Sequence, residues 1–187
     1  MNKPVYALGI QTLGRFSLSV DGRTAATVWP DEAIKVFFCS FLSPLDLYFT
    51  WDRICRSFLE VPETRSSRRE LEDLFVRPLN HFLLKELGFN PLIVGPEGIR
   101  IDPQGIYVDV FDFHSAVVEG ISLMSLGDHD GASEKFSRAN LLYAGSYLPG
   151  MPGKIIEHTR LELDSLYRTA VKDGVWQTRS VLCLIDI

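Results

Sequence analysis

The chain has 187 residues, 46% hydrophobic and 23% charged, with a net charge of −5. That composition excludes a disordered protein and suffices for one large domain or two small ones. No apolar run approaches the roughly 20 residues that span a bilayer, and Met1-Asn2-Lys3-Pro4 leads into an alternating segment, not the apolar stretch of a secretory signal. The chain therefore reads as cytoplasmic, with no membrane partner. Cys39, Cys55 and Cys183 are too sparse for a disulfide framework. Cys39 and Cys55 fall on apolar helix faces as small buried hydrophobes. The acidic balance is uneven. Residues 1–105 hold 12 basic and 13 acidic side chains, whereas residues 106–187 hold 7 and 11. A local basic patch fits only in the first part.

Strands come first. Val5 to Leu13 and Arg23 to Val28 flank Phe16-Ser17-Leu18-Ser19-Val20, which alternates apolar and small polar residues. Asp21-Gly22 is a hairpin turn. Pro30-Asp31-Glu32 starts a helix with Asp31 as N-cap. Its buried face is Ile34, Phe37, Phe38 and Phe41, and Ser43-Pro44 stops it. Thr50 caps a second, short helix carrying Trp51, Ile54, Cys55 and Phe58. After a turn at 61–64, a helical region runs from about Ser66 to Leu87, with Leu71, Leu74, Phe75, Leu79, Phe82 and Leu83 as its apolar stripe. Pro78 lacks an N–H and crowds the preceding turn, which predicts a kink or break near Arg77. Gly88 ends the helix. Leu92 to Val94 and Ile99 to Ile101 form a β-hairpin about Gly95-Pro96-Glu97-Gly98. Asp102 to Gly105 is the expected domain boundary, dividing the chain into 1–105 and 106–187.

The second part is helical. Val110, Phe113, Val117, Ile121 and Met124 mark one helix, closed at Gly127-Asp128. Ala132, Phe136, Ala139 and Tyr143 mark a second. Together they make an αα-hairpin. Residues 144–153, with three glycines and two prolines, form a loop. Ile156, Thr159, Leu163, Leu166 and Ala170 mark a third helix that covers the pair. The apolar tail, Val181 to Ile185, reads as a strand, a truncated element or a disordered end, and admits a chain that is a piece of a longer protein.

Chemistry-bearing motifs are few. His81, His114, His129 and His158 are scattered without zinc-ligand spacing. Gly145 to Gly150 has P-loop glycine spacing, but Met151-Pro152 follows where Lys and Ser or Thr are needed. Neither an enzyme nor a cofactor or metal site is expected. The order sheet, helix, short helix, long helix, hairpin is that of a winged helix-turn-helix, whose third helix enters the major groove while the wing reaches a neighbouring groove or phosphate. Arg65-Ser66-Ser67-Arg68-Arg69 opens that third helix, where basic residues oppose the helix dipole and suit phosphate or guanine instead. Arg68 and Arg69 lead the candidate DNA contacts, followed by Arg65, Ser66, Ser67 and Arg77, with Lys85 and Arg100 as further phosphate contacts. A solvated helix start paired with Glu70, Glu72 and Asp73 accounts for Arg65, Arg68 and Arg69 as well.

The chain also resembles a known family. Leu13-Gly14-Arg15-Phe16-Ser17-Leu18 and Asp21-Gly22-Arg23 resemble the opening strand pair of OmpR-type winged helices in the antibiotic regulatory protein family. Val108-Asp109-Val110-Phe111-Asp112-Phe113, Ala139-Asn140-Leu141, Tyr143 through Gly150, and Arg160-Leu161 resemble that family's bacterial transcriptional activator domain. The resemblance implies an α+β winged helix followed by an all-α, tetratricopeptide-like domain. It further implies a transcription regulator that binds double-stranded DNA and uses the helical domain to contact RNA polymerase, another protein or a second copy of itself. Three segments depart from the family pattern: Leu83-Leu84-Lys85-Glu86-Leu87 holds one base and one acid, Pro78 has no counterpart, and Gly98-Ile99-Arg100-Ile101 lacks the wing's aromatic residue. These departures and the acidic balance suit a second reading, an interaction scaffold whose winged helix no longer binds DNA.

Overall fold

A computed structural model describes residues 8–25, 28–46 and 48–172. The tail segment singled out above, Val181 to Ile185, lies outside them, as do the first residues of the opening strand and Ala26-Thr27 of the third. The chain divides into two compact units that interleave along the sequence. The first takes the described residues of 1–10, 17–108 and 150–157, and the second those of 11–16, 109–149 and 158–187.

In the first unit, β1 (Leu8–Gln11), β2 (Ser17–Val20), β3 (Arg23–Ala25) and β7 (Ile106–Val108) form a four-stranded sheet in the order β3-β2-β1-β7. Strand β7 pairs parallel with β1, Leu8 opposite Ile106 and Ile10 opposite Val108. It was not expected: residues 106–108 are too few to show a period, and their pairing lies almost a hundred residues away. Helix α1 (Glu32–Ser40) begins at Asp31, whose carboxylate accepts from the Ala33 N–H. Helix α2 (Trp51–Phe58) begins at Thr50, whose hydroxyl accepts from Arg53 N. The next helical stretch starts with α3 (Arg65–Leu71), passes through a π-helical turn (Glu72–Val76) and continues as α4 (Arg77–Leu87). The expected disruption at Pro78 takes that form. The π turn lies just ahead of the ring and the backbone stays helical across it, so there is no break. Gly88, at φ 76°, ends α4 in the left-handed conformation that glycine adopts without penalty.

The core of this unit is aromatic. Phe37 meets Phe41 edge-on at 5.0 Å and Phe58 at 4.9 Å, and stacks on Phe75 at 5.1 Å. Phe41 meets Phe49 at 5.3 Å. These contacts tie α1, α2 and the π turn together, and such pairs add about 0.5–1.5 kcal/mol beyond area burial. A second sheet, in the order β4-β6-β5, joins β4 (Phe49–Thr50) to the hairpin of β5 (Leu92–Val94) and β6 (Gly98–Ile101).

In the second unit, α5 (Asp109–Ser125) and α6 (His129–Leu142) form the αα-hairpin. Helix α7 (Lys154–Leu166), which belongs to this unit from His158 onward, continues into a second π-helical turn (Tyr167–Lys172). Gly120 makes the α5–α6 contact close: a Cβ there would sit 2.7 Å from the Phe136 ring. Phe136 is buried between Ala132 and Ala139, which are fully covered. The Tyr143 and Tyr167 rings stack at 3.7 Å, and Asp164 accepts from Tyr143 Oη and Ser146 Oγ.

The same unit captures the segment 11–16 through one carboxylate. Asp109 Oδ1 accepts from Thr12 N at 2.8 Å and Thr12 Oγ1 at 2.7 Å, while Oδ2 accepts from Leu13 N at 3.0 Å. Burial pushes the Asp109 carboxyl above its usual range, against the pull of these donors, which favour the charged form. Leu13 also bridges Tyr147.

Two core predictions follow from opposite faults. Phe136→Ala empties the α5–α6 contact and should lower unfolding free energy by about 3–5 kcal/mol. Gly120→Ala overfills it and should lower it by about 1–3 kcal/mol; urea denaturation measures both. Asp109→Ala leaves the Thr12 and Leu13 amides without their acceptor. At about 1–3 kcal/mol for each unsatisfied buried group, the same measurement should show a drop of about 3 kcal/mol.

Candidate nucleic-acid interface

The turn before α3 is built by side chains that replace missing backbone partners. The first N–H groups of any helix lack intrahelical acceptors. At α3 they meet a reciprocal capping box, in which Thr64 Oγ1 accepts from Ser67 N and Ser67 Oγ accepts from Thr64 N. Ser67 Oγ also donates to Pro62 O at 3.0 Å. The Ser67 side chain is buried and committed to this turn. Asp52 on α2 holds the same turn from the other side, accepting from Glu63 N at 3.0 Å and Arg56 Nε at 2.7 Å.

The arginines then separate into two kinds. Arg68 is half-buried. Its Nε donates to Glu72 Oε1 at 3.1 Å, its Nη1 donates to Pro96 O at 2.7 Å, and its guanidinium lies 4.3 Å from the centre of the Trp51 ring. Arg77 pairs with Asp73 at 2.6 Å but remains exposed. Arg65 and Arg69 are exposed, four residues apart on one face of α3, and make no ion pair among the described residues. The pairing with acidic neighbours expected of a merely solvated helix start thus holds for Arg68 and fails for Arg65 and Arg69.

Arg65, Arg68, Arg69 and Arg77 line one open depression of about 570 Å³ together with Glu63, Thr64 and Glu72. Ser66 is exposed next to them on α3. Lys85 and Arg100 do not line it. Lys85 lies 3.6 Å from Glu86 near the end of α4, and Arg100 is exposed on β6, opposite Ile93 of β5.

The hairpin turn carries interactions that sequence reading missed. Trp51 Nε1 donates to Gly95 O and Trp51 N donates to Glu97 O, both at 3.1 Å. The second bond satisfies an amide at the start of α2. At Gly98 a Cβ would lie 1.9 Å from Phe49 O, so only glycine lets β6 approach β4 this closely. A Gly-Pro-Glu-Gly turn signals a hairpin but not the helix it rests on. The one legible signal in this region was the Thr64-x-x-Ser67 spacing, which resembles a capping box.

Among the described residues no three His, Cys, Asp or Glu side chains come together as a metal site, and no helix is long and apolar enough to cross a membrane. The described elements thus define a sheet-and-helix unit that carries a β-hairpin and a unit built on a helical hairpin. No protein-family model matches the chain, and no curated protein matches it. Among solved structures, Mycobacterium tuberculosis EmbR, in complex with a low-affinity phosphopeptide, is similar with a TM-score of 0.64 at 18% identity. The match covers 88% of this chain and 44% of that one. It shows a shared fold, and this chain spans less than half the length of that neighbour.

The Asp52 staple yields a pH prediction. The hydrogen bond from Arg56, then that from the Glu63 amide, hold the Asp52 carboxyl below its ordinary range. The unfolded chain therefore binds the proton more readily, so this stabilisation is present above the ordinary aspartate range and fades as pH falls through the lowered value. The Glu63 amide resonance should titrate with a midpoint below about 3.9, the ordinary aspartate value. Asp52→Asn should abolish that titration.

Proposed function

We propose that the chain is a DNA-binding transcription regulator of the cytosol, in which the first unit is a winged helix-turn-helix and the second a helical domain. Helix α3 and its continuation are the recognition element, and the β5–β6 hairpin is the wing. The observation that carries this reading is the pair Arg65 and Arg69. Both are exposed and, among the described residues, free of ion pairs, on the helix that follows α2 and precedes the hairpin, in a fold shared with EmbR. Two uncompensated arginines beside a depression suit phosphate oxygens or a guanine edge. Ser66 and Arg77 flank them, and Lys85 and Arg100 serve as outlying phosphate contacts. The helical domain binds protein: a second copy of the chain or the transcription machinery. A scaffold without DNA affinity is the second reading, favoured by Glu63 and Glu72 in the same depression and by the pairing of Arg68 and Arg77 with acidic neighbours.

Selection of duplexes from a random library at fixed salt separates the two readings: an enriched sequence supports the regulator and no enrichment supports the scaffold. On an enriched duplex, Arg65→Ala with Arg69→Ala should weaken binding and flatten the slope of log affinity against log salt by about 2, close to 0.9 for each phosphate no longer neutralised. Thermal unfolding should remain within about 0.5 kcal/mol of wild type, as at surface sites without partners.

A further inference from the structure

We propose that Arg68 is a positioning residue rather than a DNA contact: it locks the wing turn to the recognition helix, so that helix and wing meet DNA at one fixed spacing. The inference rests on the DNA-binding reading for its consequence but not for its geometry. Arg68 bonds α3 directly to the hairpin turn, through the 2.7 Å bond from Nη1 to Pro96 O. Its plane is held over Trp51 at 4.3 Å, and Glu72 fixes the opposite edge at 3.1 Å. Trp51 in turn donates from its ring to Gly95 O and from its backbone to Glu97 O. Three consecutive carbonyls of the turn, those of Gly95, Pro96 and Glu97, are therefore held by two side chains and one amide belonging to the helices.

The chemistry of the clamp is specific to arginine. A planar guanidinium stacks on an indole while donating from two edges, which a lysine ammonium on a flexible stem does not reproduce. A hairpin of three- and four-residue strands is marginal by itself and depends on what it packs against. Removing the clamp leaves the hairpin attached through β4 and Trp51, and frees the turn at Pro96. An arginine already engaged on three sides has little left to offer a phosphate, which separates it from Arg65 and Arg69.

The test uses the full chain and two readouts. In the free protein, exchange of the two amides bonded to the turn, Gly95 N–H to Gly98 O and Trp51 N–H to Glu97 O, should quicken by roughly tenfold in Arg68→Ala, as expected when one net hydrogen bond to a charged group is removed. Arg68→Lys should restore only part of the protection, and Arg69→Ala should leave exchange unchanged. On a duplex enriched from the random library, Arg68→Ala should weaken binding by roughly tenfold with the salt slope unchanged. On the same duplex shortened from the end whose removal weakens wild type, Arg68→Ala and wild type should bind alike. Unchanged exchange in Arg68→Ala overturns the proposal. So does a salt slope lowered by about 0.9, the mark of a phosphate contact. If wild type enriches no duplex, the DNA-binding reading fails, and the exchange measurement still decides whether Arg68 holds the wing.

Discussion

A buried carboxylate must be satisfied, and the second unit is organised around that requirement. Asp109 stands at the first position of α5, yet most of its donors come from Thr12 and Leu13, about ninety-seven residues away in sequence. An unpaired buried carboxylate is among the most unfavourable groups a fold can hold. The segment 11–16 is consequently part of the helical unit, although its neighbours on both sides belong to strands of the first. With Thr12 held, Leu13 bridges Tyr147, Leu148 N donates to Thr12 O, and Arg160 donates to the carbonyls of Tyr147 and Leu148. The loop after α6 thus takes its shape from a residue at the start of α5.

The first unit shows the same economy at its hairpin and its helix starts. The amides that open α2 and α3 need acceptors. They find them in Glu97 O, Thr50 and Thr64, and the residues that provide or order those acceptors also place the turn and the wing. Three arginines near a helix N-terminus oppose the macrodipole, each by a fraction of a kcal/mol at a surface site. The structure offsets that for Arg68 by giving it Glu72, Pro96 O and Trp51. Arg65 and Arg69 receive no such offset among the described residues, and that asymmetry distinguishes a group holding the fold from groups available to a ligand.

Much of the architecture was legible because it is local. The helix-period faces of α1, α2, α5 and α6, the caps Asp31, Thr50 and Gly88, and the β5–β6 hairpin all rest on spacings within a few residues. Pro78 was legible as a disturbance, but its form was not: whether a chain breaks or widens by a π turn depends on the packing of both flanking helices. Of the candidate site, the arginine run was visible and its division of labour was not. Ser67 is set apart from Ser66 by a local cap with Thr64, but Arg68 looks like Arg69 in sequence, and only its neighbours across the fold separate the two.

The amino-acid order by itself determined which segments are helical, where they start and stop, and that basic residues gather at one helix start. Backbone propensity, capping and hydrophobic period act over distances shorter than one helix, so they are written in consecutive residues. Tertiary structure alone decided that β7 pairs with β1, that Asp109 reaches back to Thr12, and that Arg68 reaches forward to Pro96. Each of these depends on a polar group meeting a partner 28 to 98 residues away. Such a partner is selected by burial and geometry once the chain has closed, and no spacing along the sequence specifies it.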